Sequence, residues 1–426
     1  MQRLSSARGV LAAGAMCVLA ACTSRSNGNG NGDAPAANAG AGASAAGSGG
    51  ESGTLGGGGA GPSGSGGALG SSGAGSSSVA GAGGAAGMGG AGSSSSGAGG
   101  RGGTSAPAAG TGGPGGAGGQ GGTTASQPLA ARVCPQGTAF GSPLPGGSPS
   151  ATMVQGGFMF IEGPVWVADK GWLLFSDMDF GGGDAMGPKS RIRRLVPPST
   201  FDVFVEQANS NGLALDLDGA VLACTHDLQT LSRYLPANGM RETRSLTYMG
   251  KHFNSPNDLT VRSDGIAYFT DPDWQLGPRS NETGMTGVYR VNTDDSVQLV
   301  EGTLQKPNGI ALSPDEKTLY VGSSQAEIYA YPVNPEGGVG AKSVFARPGG
   351  SDGMTVDCAG NLYVAGSDSV KVYAPSRGAD DPPLGMISVG VTTSNVAFGG
   401  SDRKTLFITA GNTLYSIVLQ VPGLPY

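Results

Sequence analysis

The 426-residue sequence predicts an all-β fold, a six-bladed β-propeller, and three observations carry that prediction. Short alternating apolar runs, separated by Gly, Asp and Asn, fill the chain from about residue 150 onward, as strands and tight turns do. One strand–turn–strand pattern recurs six times, from residues 162, 211, 257, 308, 352 and 395, at intervals of 49, 46, 51, 44 and 43. No sustained helical apolar period interrupts it. A repeat of about 40–50 residues is that of a four-stranded blade, and six copies lie within the 4–8 blades that propellers use. An immunoglobulin-like sandwich would not keep so regular a period.

Taken in chain order, residues 1–22 read as a targeting signal. Arg3 and Arg8 precede a short apolar run from Gly9 to Ala21, too short to cross a bilayer comfortably. The run ends in Leu19-Ala-Ala-Cys22, which resembles the lipobox of bacterial lipoproteins. That resemblance implies cleavage before Cys22, lipidation of its thiol and attachment to the cell envelope. Thr23 follows where Asp would signal inner-membrane retention, so an outer-membrane address is expected. Residues 23–130 hold 41 Gly in 108 positions and no Phe, Trp or Tyr. Such a segment has too little apolar surface to offset the entropy of ordering it. It is expected to be a disordered tether with a reach of roughly 57 Å. Collagen is excluded because Gly keeps no period of three. Residues 131–426 then form one domain. Propellers often complete the last blade with residues from ahead of the first, a part that would fall here to 131–150.

Each repeat gives a strand, a tight turn and a second strand. The first reads Glu162-Gly-Pro-Val-Trp-Val, turn, Trp172-Leu-Leu-Phe-Ser-Asp177; the second Asn211-Gly-Leu-Ala-Leu-Asp, turn, Val221-Leu-Ala-Cys-Thr-His226. The third runs from Asn257 to Asp271, the fourth from Asn308 to Ser323, the fifth from Asp352 to Gly366 and the sixth from Asn395 to Ala410. Trp166 and Trp172 are expected in the core. Arg191-Ile-Arg-Arg194 reads as a solvated strand face. Leu215-Asp-Leu-Asp218-Gly219 lacks the terminal Glu of a calcium loop and reads as a hairpin turn.

In a propeller the first strand of each blade lines the axis, so the six first positions form a ring at one mouth of the channel. They are Glu162, Asn211, Asn257, Asn308, Asp352 and Asn395. Val or Thr would begin a strand better than these. Six oxygen-bearing side chains on one axis, two of them carboxylates, suit a hard divalent cation. The second strands return to the same face and bring Asp177, His226, Thr270, Asp271 and Ser323 there. Net charge of −6 and only two His exclude a basic nucleic-acid binder and a His-rich zinc site. Gly349-Gly-Ser351-Asp-Gly353 matches G-x-S-x-G, but it opens a blade and no His follows it, so it is not a nucleophile elbow. Among the cysteines, Cys224 lies in an apolar run and reads as a buried thiol, which leaves Cys134 and Cys358 as the default disulfide.

Four motifs combine into a resemblance. Glu162-Gly-Pro-Val-Trp166, Ser255-Pro-Asn-Asp-Leu259 with Tyr268-Phe-Thr-Asp-Pro272, Pro307-Asn-Gly-Ile-Ala-Leu-Ser-Pro-Asp315, and Asp352-Gly-Met together resemble the gluconolactonase and senescence-marker-protein (regucalcin) family over nearly all of 150–420. The resemblance implies one divalent metal near the axis, calcium first and zinc or manganese next, and hydrolysis of sugar lactones and related esters. It places the metal ligands on Glu162, Asn308 and Asp352, with Asn257 beside metal and substrate. Asn211 and His226 then face substrate. Two departures stand out. Ser323 occupies a position where many relatives have Asp, and the Gly-rich stretch 181–187 is extra and is expected to reshape the rim.

The expected activity is therefore opening of a lactone by metal-activated water, with Asp352 as the proton carrier. The alternative is a non-catalytic propeller that holds a ligand or partner at the same mouth. The only membrane contact expected is the lipid anchor. A strictosidine-synthase-like condensation is disfavoured, because the later blades lack an evident general-base Glu.

Overall fold

The computed structural model describes residues 127–424. The signal, Cys22 and most of the tether lie outside the described residues. The boundary expected at 130/131 falls inside a short helix, α1 (Leu129–Val133). A strand, β1 (Thr152–Gly156), precedes the first repeat.

Six four-stranded antiparallel sheets follow. Blade one is β2 (Phe160–Val167), β3 (Trp172–Asp184), β4 (Gly187–Val196) and β5 (Thr200–Val205). Blade two is β6 (Ser210–Leu215), β7 (Val221–Thr225), β8 (Thr230–Tyr234) and β9 (Arg241–Thr243). Blade three is β10 (Leu259–Val261), β11 (Ala267–Asp271), β12 (Gly287–Val291) and β13 (Val297–Glu301). Blade four is β14 (Pro307–Leu312), β15 (Thr318–Ser323), β16 (Ile328–Pro332) and β17 (Ser343–Ala346). Blade five is β18 (Met354–Val356), β19 (Leu362–Gly366), β20 (Ser369–Tyr373) and β21 (Gly385–Ser388). Blade six has β22 (Asn395–Gly399), β23 (Thr405–Ala410) and β24 (Thr413–Val418) from the C-terminal end and takes β1 as its fourth strand.

That exchange closes the circle. Thr152 lies opposite Ser416 and Gly156 opposite Thr413. The closing strand is thus 152–156 rather than 131–150. Residues ahead of it bind elsewhere, Ser150 bridging to Ser388 of blade five.

The core lies between blades. Val165 and Leu174 of blade one pack with Leu213 and Ala223 of blade two, and Tyr363 and Val372 of blade five with Phe398 and Leu406 of blade six. Because successive side chains alternate faces, each sheet shows apolar groups to both neighbours, and burial at about 25 cal/mol per Å² holds the blades together. Trp166 is buried and stacks on Phe407 at 5.9 Å. Trp172 is only partly buried and carries Arg194 over its ring at 4.4 Å. Two of the three arginines on β4 are paired, Arg193 with Asp177 and Arg194 with Asp202. The Asp216–Gly219 segment is a turn, closed by the Gly219 amide on the Asp216 carbonyl at 3.0 Å.

Cys134 and Cys358 form a disulfide across 224 residues, and Cys224 is a free, buried thiol. The disulfide joins the α1 segment to the turn of blade five, at the end of the inner strands away from the ring. Leu129 N also donates to Glu316 and Arg403 to the Val133 carbonyl there.

Candidate functional site

Local backbone departures aim the ring residues at the axis. In blades one, two and four, pairing between the first two strands skips at the ring position: between Glu162 and Val165, Ser210 and Leu213, and Pro307 and Ile310. Such bulges take a side chain out of the ladder and re-aim it. In blades three and five the ring residue stands just ahead of the strand. There the Asn257 amide donates to the Thr270 carbonyl and the Asp352 amide to the Ala365 carbonyl, both at 2.8 Å.

Glycine at the next position lets adjacent blades meet. The Gly212 amide donates to the Asn257 carbonyl at 2.7 Å and the Gly353 amide to the Ser394 carbonyl at 2.7 Å. A Cβ on Gly309 would stand 2.1 Å from the Asp352 carbonyl, and one on Gly163, whose φ is +53°, would stand 2.3 Å from that of Asn211. The ring is therefore drawn tight. The cavity beneath it, lined by Asp258, Thr260, Thr355 and Asn395 among others, is only about 20 Å³, room for about one water.

Glu162, Asn211, Asn257, Asn308 and Asn395 are buried in that ring, and Asp352 is partly exposed. Burial, then the nearby Asp352 and Asp258, push the Glu162 carboxyl well above the usual carboxylate range; the Gly163 amide, at 3.0 Å, and the Asn395 side chain oppose this. Asp352 is raised by burial and by Asp258, against a hydrogen bond from Asn308. Among the described residues no ion pair reaches Glu162, Asp258 or Asp352. Buried carboxylates without a cationic partner are costly unless a cation joins them. The amide oxygens of Asn257 and Asn308 complete a hard oxygen donor set, so the residues present fit a divalent metal. No group of three His, Cys, Asp or Glu converges as a metal site among the described residues, so the donor set rests on two carboxylates plus amides.

Asp258 is the residue that sequence reasoning missed. It is buried, and burial pushes its pKa to about 7. The Leu259 amide holds one oxygen at 2.9 Å and the Asn395 amide the other at 3.4 Å. It faces Glu162 and Asp352 electrostatically but is held by these other partners. The signal was visible: four repeats carry Gly after the ring residue, whereas the third carries Asp258.

The residues expected on the return strands mostly support the ring. Asp177 accepts from the Met159 amide at 2.8 Å and from Arg193 at 2.9 Å. Asp271 accepts from the Asn254 and Ser255 amides, both at 2.8 Å, and burial raises its pKa to about 8. Thr270 Oγ1 accepts from the Asp258 amide at 3.1 Å. Ser323 is buried at the end of β15, its hydroxyl accepting from the Gln325 amide at 3.3 Å.

His226 directly follows β7, at the end of the second strand of blade two. It is fully buried, and its Nε2 donates to the Pro188 carbonyl at 2.5 Å, leaving Nδ1 without a partner. Burial lowers its pKa, so the ring is neutral near pH 7. The Gly-rich β3–β4 hairpin covers it, Gly187 against the imidazole edge. Arg279 pins this cover by donating to the His226 carbonyl at 2.6 Å, the Gln275 carbonyl at 2.8 Å and the Met186 carbonyl at 3.3 Å. As placed, His226 is packed against the hairpin through Gly187 and Pro188.

Known proteins are similar to this chain in sequence and fold. A gluconolactonase from Zymomonas mobilis is 30% identical over 62% of this chain and 79% of its own length. The pentonolactonase XacC of Haloferax volcanii is 30% identical over 58% of this chain and 80% of its own. The solved structure of a gluconolactonase from Xanthomonas campestris superposes with a TM-score of 0.56 at 30% identity, covering 67% of this chain and 99% of that one. Residues 160–412, more than half of the sequence, match the SMP-30/Gluconolactonase/LRE-like region, and the chain belongs to that family.

Proposed function

We propose that this protein is a metal-dependent lactonase that opens sugar-derived lactones of the gluconolactone type. The observation that carries the reading is the pair of carboxylates, Glu162 and Asp352, set without a cationic partner among asparagine amides on the floor of the axial mouth. Glu162, Asn257, Asn308 and Asp352 would hold the metal, with calcium the first candidate and zinc or manganese next. A divalent cation bound there supplies Lewis acidity toward the lactone carbonyl and lowers the pKa of a nearby water.

The chain's own groups do the rest. Asp352, partly exposed at the mouth, takes the proton as water oxygen adds to the carbonyl carbon. It returns that proton to the ring oxygen as the acyl C–O bond breaks, giving the open hydroxy acid. The amides of Asn257 and Asn211 donate to the developing oxyanion or to substrate hydroxyls. The lipobox-like Leu19-Ala-Ala-Cys22 makes the enzyme, in this proposal, a lipid-anchored protein of the cell envelope with an outer-membrane address.

The test is proton release from glucono-1,5-lactone by the EDTA-stripped full chain, before and after adding Ca²⁺, Zn²⁺ or Mn²⁺. Hydrolysis restored by metal and lost in Asp352→Ala supports the proposal. Metal binding by calorimetry without hydrolysis of this or other lactones favours a ligand-holding propeller. Absence of metal binding overturns the site.

A further inference from the structure

We propose that Trp274 is a sugar-stacking platform at the mouth, binding the C–H face of a carbohydrate-derived lactone; this rests on the lactonase reading above. Two residues ahead of each ring position, the chain approaches the ring from the connection to the preceding blade. Those positions are Phe160, Asn209, Ser255, Lys306, Gly350 and Thr393. Lys306 is the only charged residue among them and Phe160 the only aromatic one.

The segment after Asp271 is pinned between two of them. Ser255 Oγ donates to the Pro272 carbonyl at 2.7 Å and accepts from the Gln275 amide at 3.2 Å, so Trp274 is held from both sides. Asp273 pairs with Lys306 Nζ at 2.5 Å, and the same ammonium lies 5.9 Å from the Trp274 ring centroid. The indole is thus fixed beside the segments that lead to Asn257 and Asn308. Yet Trp274 stays 41% exposed.

An indole held by cation–π contact and a pinned backbone, but left uncovered, presents apolar area where the site needs recognition. The other two tryptophans are engaged elsewhere, Trp166 in the core and Trp172 against Arg194. Blade one adds a second aromatic group beside its ring position: Phe180 packs on Phe160, two residues ahead of Glu162, at 5.4 Å and is itself exposed. Aromatic walls above an amide-lined floor match a ring that is apolar on its C–H faces and hydroxylated at its edge, a sugar lactone more than a plain alkyl one.

The test uses the calcium-loaded full chain and two variants, Trp274→Ala and Trp274→Phe. Stacking raises KM for glucono-1,5-lactone about tenfold in Trp274→Ala, leaves kcat within about twofold, and gives Trp274→Phe an intermediate KM. Adding D-gluconate should change indole fluorescence in the unsubstituted protein and not in Trp274→Ala, which keeps Trp166 and Trp172. A wild-type KM in Trp274→Ala overturns the proposal, as does a gluconate response that persists in it. If the unsubstituted protein hydrolyses no lactone, the lactonase reading fails by itself; the gluconate titration then decides stacking alone, and no fluorescence change overturns it.

Discussion

The two ends of the same inner strands are built on opposite terms. At the turn end every carboxylate has local partners. Asp357 accepts from the Ala359 and Asn361 amides, both at 2.9 Å, and from Tyr363 at 3.0 Å. Glu316 accepts from Ser263 Oγ at 2.7 Å, and Asp216 and Asp218 pair with Arg233. A disulfide and α1 are added there. At the ring end Glu162, Asp258 and Asp352 crowd one another with no cationic partner among the described residues, and bulges and glycines bend the backbone to keep them there. One repeat therefore serves two purposes, stability at one end and a strained charge arrangement at the other, where a functional site is expected to depart from ideal structure.

That contrast can be broken at the ring first. Glu162→Gln and Asp352→Ala should each lower lactonase kcat/KM by roughly 10³-fold or more and weaken calcium binding, with the melting temperature of the metal-free protein unchanged or raised. Near-normal hydrolysis in both would remove the ring from the chemistry. Next, one substitution can be compared at the two ends. Gly309→Ala drives a Cβ into the Asp352 carbonyl and should cost about 2–4 kcal/mol in denaturant unfolding, along with activity. Gly219→Ala, in an open turn with φ of +83°, should cost about 1 kcal/mol and spare activity. Third, replacing both Cys134 and Cys358 by Ser should lower stability by about 2–4 kcal/mol and leave kcat/KM within about twofold; a large loss of activity would mean that the turn end reaches the site.

The smallest expected effect is on pH. Asp258 and Asp271 have pKa values pushed to about 7 and about 8 in the folded protein. Between about pH 4 and these values the folded state holds more protons than the unfolded one, so the metal-free protein loses stability as pH rises through that window. Its melting temperature should fall from pH 5 to pH 8, and calcium should raise it more at pH 8. A melting temperature that rises over that range without metal would show that these groups are stabilised as anions by the fold alone.

Much of this was legible in the chain. The six repeat starts gave the blades, the Asp and Gly turns separated strand from strand, and the oxygen-bearing first positions pointed to a ring, because each feature depends on local pattern. The Cys134–Cys358 pair was reachable by elimination. What escaped depends on distant partners. The closing strand Thr152–Gly156 carries no strong pattern of its own and is defined by β24, which lies over 250 residues away in sequence. His226 has the right register for the mouth, but whether it opens onto the mouth is set by a hairpin from blade one and a loop from blade three. Asp258 could be seen as an exception to the glycine pattern, yet its neighbours Asn395 and Glu162 come from two other blades.

The bridge between Cys134 and Cys358 also governs how the propeller can be released or mounted. A single proteolytic cut anywhere from residue 135 to 151 leaves the propeller covalently attached to everything upstream, since the sulfur bond offers a second route around the cut. Release there needs both a protease and a reductant. The described chain therefore enters the propeller at its turn end, the end away from the ring.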